Sequence, residues 1–143
     1  MAYGYSFSAV STTVSHPNYG SNTINGKGAV SVAIAYADDN SEQDLASDGV
    51  VMDSKVLSHR GTVAIEVQQT SSFNKWLMSL FNSVYNGDAS IWNQISIRST
   101  ESYTNGLTIS ASNCMFQKRP DRKDAKTGDH VTWTFMCDNI VES

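Results

Sequence analysis

Hydrophobic and polar residues alternate with a period of two through much of the chain. Tyr3, Tyr5, Phe7 and Ala9 are separated by small or polar residues, which predicts a strand with one buried face. Val30, Val32, Ile34 and Tyr36 repeat the pattern until Asp38, Asp39 and Asn40 end it. Val63, Ile65 and Val67 follow Gly61, and Ile95 and Ile97 come next. Leu107, Ile109 and Ala111 follow the turn pair Asn105-Gly106. In the last run Val131, Trp133, Phe135 and Cys137 oppose His130, Thr132, Thr134 and Met136. The pattern predicts six or seven strands.

One segment changes period. Phe73, Trp76, Leu77, Leu80, Phe81, Val84 and Tyr85 are spaced three and four apart, which lines one face of an α-helix. Ser71 or Ser72 is placed to cap its start, and Asn86-Gly87 is a stop signal. An isolated helix of this length is marginal in water, so its apolar stripe must be covered by a sheet. The expected fold is mainly β, a sandwich or barrel of two packed sheets with one flanking amphipathic helix. No repeat or linker divides the chain, and residues 1–143 are expected to form a single domain.

Composition narrows the class. With 40% hydrophobic and 17% charged residues, the chain belongs with folded globular proteins and not with disordered ones. A net charge of −4 disfavours a general grip on nucleic acid. No apolar run approaches the roughly 20 residues that cross a bilayer as a helix, so no membrane partner is expected. The opening residues carry neither a basic region nor an apolar stretch, so export by a signal peptide is not expected. Cys114 and Cys137 are expected as half-buried thiols and not as a pair.

Charge is unevenly placed. Asp38, Asp39, Glu42, Asp44, Asp48 and Asp53 put six of the fourteen acids into one expected loop. Lys118, Arg119, Arg122, Lys123 and Lys126 put five of the ten bases into another. Connections in compact domains mostly run about 4–6 residues, so two long polar loops of opposite sign suggest contact surfaces.

Candidate chemistry fails on spacing. His16, His59 and His130 lie in separate segments without ligand spacing. Gly20–Gly28 resembles a phosphate loop but is one residue too long. Gly28 also stands where a metal-binding hydroxyl is needed, and a turn rich in Asn and Gly explains the segment better. A calcium loop starting at Asp38 has Gln43 where glycine is required and Gly49 where a bidentate glutamate belongs; starting at Asp44 puts Lys55 at that last position. Neither cysteine has the setting of a nucleophile signature. No catalytic residue, metal ligand or cofactor is proposed, and the expectation is a protein that is not an enzyme.

The chain resembles the family of tail-tube subunits from contractile-tailed bacteriophages. The likeness runs from Met1-Ala2-Tyr3-Gly4-Tyr5-Ser6-Phe7-Ser8 through Asp48-Gly49, Ser58-His59, Gly61-Thr62-Val63, Thr70-Ser71, Asn74 and Trp92. Its sharpest element is Phe116-Gln117-Lys118-Arg119-Pro120-Asp121, followed by Ala125-Lys126 and Trp133-Thr134-Phe135. Two features depart from it: the expected glycine-rich stretch after Lys126 is reduced to Thr127-Gly128-Asp129, and the acidic segment at 38–48 is particular to this chain.

The resemblance implies a structural virion protein, assembled in the host bacterial cytoplasm, that closes into hexameric rings stacked head to tail. The implied partners are further copies of the chain, the tail sheath protein, the baseplate and the tail terminator. Tape measure protein and phage DNA would pass through the lumen without specific binding. Within that frame Asp38, Asp39, Glu42, Asp44 and Asp48 are expected to meet Lys118, Arg119, Arg122, Lys123 and Lys126 of a neighbouring copy. The alternatives are a tube subunit of a type VI secretion or tailocin system, or a small β-sandwich module. That module would bind carbohydrate or a receptor on exposed Trp92 or Tyr103.

Overall fold

The computed structural model describes residues 4–25, 28–103 and 105–143. In chain order these form β1 (Val10–His16), β2 (Gly20–Ile24), β3 (Ala29–Tyr36), β4 (Ser41–Leu45) and β5 (Val51–Lys55). There follow β6 (Gly61–Gln68), α1 (Ser72–Tyr85), β7 (Ile95–Glu101), β8 (Thr108–Lys118) and β9 (His130–Glu142). Seven strands share one antiparallel sheet in the order β2-β1-β7-β8-β9-β6-β3, and β4 and β5 pair only with each other. The fold is mainly β with one flanking helix, as the alternation predicts.

The inward positions of the central strands supply the core: Val63, Ile65 and Val67 from β6, Ile95 and Ile97 from β7, and Val131, Trp133, Phe135 and Cys137 from β9. The helix presents Phe73, Leu77, Leu80, Phe81 and Val84 to them, all buried. Each such side chain stabilises the fold by about 1.5–3 kcal/mol through its removal from water. The Ser71 hydroxyl accepts the Phe73 N–H at 3.2 Å and starts the helix, and the Asn86 N–H reaches the Asn82 carbonyl at 3.1 Å where it stops. Phe116 joins helix to sheet, with ring centroids 5.2 Å from Phe81 and 4.8 Å from Phe135. Trp133 is fully buried, and its indole N–H donates to the Asn74 side-chain oxygen at 2.9 Å.

Four local expectations are corrected. Phe7–Ala9 form a 3-10 turn and Tyr5 is exposed, so the first strand begins at Val10 and not within 3–9; Tyr3 lies outside the described residues. The inward side of β1 includes the polar Thr12 and His16, which hid it. The Thr12 hydroxyl donates to Ser99 at 3.2 Å. The His16 ring donates from Nε2 to the Ile91 carbonyl at 2.9 Å and accepts the Asn18 N–H at Nδ1 at 3.1 Å. The segment from Gly20 is not merely a turn: Gly20–Ile24 is an edge strand paired from Thr12↔Ile24 to His16↔Gly20. Gly26 and Lys27 of that segment lie outside the described residues.

The acidic segment is not an irregular loop either. It is the β4–β5 hairpin, with partners from Ser41↔Lys55 to Leu45↔Val51. Finally, Cys114 and Cys137 are not half-buried. They are fully buried cross-strand partners on β8 and β9, with sulfur atoms 2.7 Å apart and both thiols free.

Candidate assembly surfaces

The β4–β5 hairpin projects from the connection between β3 and β6. Its base is fastened by side chains. Arg60 donates to both oxygens of the Asp38 carboxylate, at 2.6 and 3.1 Å, and the Ser58 hydroxyl donates to the same group at 2.7 Å. Those hydrogen bonds, Arg60 first and Ser58 second, lower the Asp38 pKa to about 2. The Asn40 amide donates to the carbonyls of Val56 and Ser58, both at 3.1 Å. Backbone bonds from Ala37 to Arg60 and from Val56 to Asn40 close the ring.

Beyond this clamp almost every residue of the hairpin is exposed. Gly49 turns the chain with φ of 91°, a conformation that glycine adopts without strain. Asp39, Glu42, Asp44, Asp48 and Asp53 leave it with five acids against Lys55. Its distal part is apolar and open to solvent: Leu45 is 71% exposed, Val50 61%, Val51 50% and Met52 59%. A two-stranded hairpin without a covered face is marginal by itself. The Asp48-Gly49 turn between Leu45 and Val51 is the signal by which the sequence could have shown it.

The basic residues occupy the connection from β8 to β9. Lys118 ends β8, and Arg119, Arg122, Lys123 and Lys126 follow in exposed chain. Acids within the segment moderate the charge: Lys118 pairs with Asp121 at 3.7 Å and Arg122 with Asp124 at 3.1 Å. The Asp124 carboxyl also accepts from Gln69 at 2.7 Å, and Arg122, then Gln69, lower its pKa. The Arg119 guanidinium lies over the Phe81 ring, 5.2 Å from its centroid, which seats the loop on the core.

Strand direction places the two charged features at opposite ends of the subunit. The hairpin leaves β3 at Tyr36 and re-enters at Gly61, which are register partners. The basic connection enters β9 at His130, the partner of Gln68 at the far end of β6. Seven residue steps separate Gly61 from Gln68, roughly 23 Å at strand rise. Asp38, Asp39, Glu42, Asp44 and Asp48 are therefore gathered at one end, and Arg119, Arg122, Lys123 and Lys126 lie in the connection that leads to the other, while Lys118, the partner of Thr134, stands midway along the strands. Within one chain they do not meet.

The sheet face turned away from the core mixes small side chains with Met115 beside Met136 and with the charged Glu66, Arg98 and Lys118. Register sets Thr13, Arg98 and Ser110 in one row across it, and Ala33, Ala64 and Thr134 in another. The sheet also has two free edges, β2 and β3. Trp92 is not a free platform: its ring lies 5.9 Å from Phe81 and 6.4 Å from Phe116. Tyr103 meets Tyr5 edge-on and bonds the Glu101 carboxylate. Among the described residues no group of three or more His, Cys, Asp and Glu is placed to hold a metal ion.

Comparison with protein families identifies one whose model spans residues 1–143 and is described as the bacteriophage PhiTE tail tube protein. The chain belongs to this family of tail tube proteins. Membership implies a structural and not a catalytic role, and a place in the virion tail. Solved structures show the same fold at low identity. A chain of the anti-feeding prophage baseplate, imaged by cryo-electron microscopy, is similar with TM-score 0.69 and 8% identity, covering 100% of this chain and 97% of that one. A chain of the anti-feeding prophage tube-terminating cap is similar with TM-score 0.62 and 11% identity, covering 100% and 93%. A chain of the PVC sheath-tube complex, an extracellular contractile injection system in its extended state, has TM-score 0.55 and 15% identity, covering 92% and 87%. Comparison with curated proteins gives no match.

Proposed function

We propose that this tube protein, acting as one domain over residues 1–143, closes into hexameric rings. The rings stack head to tail as the DNA-conducting tube of a contractile phage tail. The observation that carries the stacking is the separation of charge: an acidic hairpin at one end of the strands and a basic connection at the other. Translation along the strand direction brings the unlike ends of two copies together, whereas a two-fold contact would bring like charges together. The free edges β2 and β3 supply the lateral contact, by strand addition between neighbours.

Sheath, baseplate and terminator are the expected outer and end partners, and assembly takes place in the host cytoplasm. The whole-chain match to a phage family favours a phage tail over a type VI or tailocin tube. Packing of Trp92 and Tyr103 against other rings disfavours the carbohydrate- or receptor-binding module. Electron microscopy of the purified protein tests the proposal, with long hollow tubes or six-fold rings expected and a strict monomer refuting it. Changing Lys118, Arg119, Arg122 and Lys123 together to glutamate should block tube growth at low salt, and normal growth would remove the charge argument. Equal hydrogen-exchange protection of β2 and β3 in monomer and tube would remove strand addition.

A further inference from the structure

Charge explains which ends meet, but it leaves the apolar tip of the hairpin without a reason. Leu45 and Val51 are cross-strand partners, so their side chains leave the same face of the hairpin and form a two-residue aliphatic knob. Asp53, two residues beyond Val51, shares that face, Asp48 lies in the turn at the tip, and the partners Asp44 and Met52 leave the opposite face. Such a knob in water is an interface feature and not a monomer feature.

The opposite end of the subunit offers a hollow of matching character. It holds about 320 Å³, between the first half of α1, the basic connection and the start of β9. Met78, Pro120 and Val131 supply its apolar lining, and Lys75 and Arg122 stand among them as cations. By liquid volume this is room for roughly ten waters, ample for two aliphatic side chains. Its wall is fixed: the Asn74 side chain is held between the Trp133 indole and the Gln69 carbonyl, at 2.9 and 3.3 Å.

We propose that the Leu45–Val51 knob of one copy seats in the Met78–Pro120–Val131 hollow of the next copy along the tube. Lys75 and Arg122 of the receiving copy face the acids around the knob. This inference rests on head-to-tail stacking and assigns the residues that perform it. The occupant is a second copy of this chain because knob and hollow lie at opposite ends of one subunit. They also carry complementary charge. The knob supplies affinity through burial, and the surrounding charges supply register.

The test is cysteine cross-linking in assembled tubes. Leu45→Cys and Met78→Cys in one chain, oxidised with copper phenanthroline under air, should give a ladder of head-to-tail oligomers on a non-reducing gel. Either single variant should give none, because native Cys114 and Cys137 are buried. If the double variant forms tubes but no ladder, the hollow is not the receiver, although stacking stands. If the unaltered protein forms no tubes or rings at all, the stacking reading itself fails and takes this inference with it. Should Met78→Cys disturb folding, Lys75→Cys at the rim replaces it with the same expectation. Independently, Leu45→Asp changes a side chain exposed in the monomer, so the subunit should keep its melting temperature. Leu45→Ala should raise the concentration needed for tube growth by roughly tenfold or more. Unchanged growth of Leu45→Asp overturns the proposal.

Discussion

Replacing Gly61 by alanine probes the junction on which the hairpin is mounted. Gly61 opens β6 and is buried between two neighbours, Tyr36 on β3 and Cys137 on β9. A β-carbon built there lies 2.9 Å from Cδ1 of Ile140 and 3.2 Å from the carbonyl carbon of Ala35, and closer still to the Ala35 oxygen. Ile140 can turn away, but the Ala35 carbonyl is backbone and can yield only by shifting β3 against β6. Overpacking of this kind costs about 1–3 kcal/mol, and the smaller entropy of an unfolded alanine chain returns about 0.4–1 kcal/mol. The net loss expected for Gly61→Ala is about 1–2 kcal/mol. With a urea m-value of about 2 kcal/mol per molar, the unfolding midpoint falls by about 0.5–1 M. Gly128→Ala is the control: nothing lies within 4 Å of its added carbon, so the midpoint should hardly move. A Gly61→Ala midpoint equal to that of Gly128→Ala would refute the reasoning.

Other outcomes follow from the same geometry. Asn74→Leu removes the acceptor of the buried Trp133 indole N–H and should cost about 1–3 kcal/mol in thermal unfolding, whereas Asn74→Asp keeps an oxygen there and should cost less. The Asp38 carboxyl, lowered to about 2, favours the clamped hairpin base at pH values above the ordinary carboxylate range. That contribution is lost as pH falls through about 2. Between pH 4 and pH 2, NMR should show the hairpin amides shifting before those of β6 and β9, and simultaneous change would count against the clamp. Dithionitrobenzoate should find no reactive thiol in the native protein and two in urea, because Cys114 and Cys137 are both buried. Rapid native reaction would contradict the packing of β8 on β9.

Strands whose inward residues are all apolar were legible from alternation, as at Val63–Val67 and Val131–Cys137, and the helix from its spacing of three and four. What escaped had a physical reason in each case. β1 turns Thr12 and His16 inward, and their burial is tolerated only because Ser99, Ile91 and Asn18 satisfy them, partners up to 87 residues away. The hairpin escaped because neither face is buried in the monomer, so its residues follow no binary pattern. Alternation records burial within the chain, and a hairpin buried on neither face leaves only its turn as a trace. The ten charged candidates were legible as two groups. The separation of the hairpin acids from the bases beyond Lys118 was not, since it depends on the direction in which β6 and β9 run.

That placement also has a mechanical consequence. A force applied between the hairpin end and the basic end acts along the strands, parallel to β6 and β9. The two strands are joined by eight partnered positions, from Gly61↔Cys137 to Gln68↔His130. Ladder bonds lie across the strands, so an axial pull loads all of them together in shear and does not open them one after another. The subunit is thus stiffest along the line joining its two charged ends, and weakest to a peeling force at the free edge of β2 or β3.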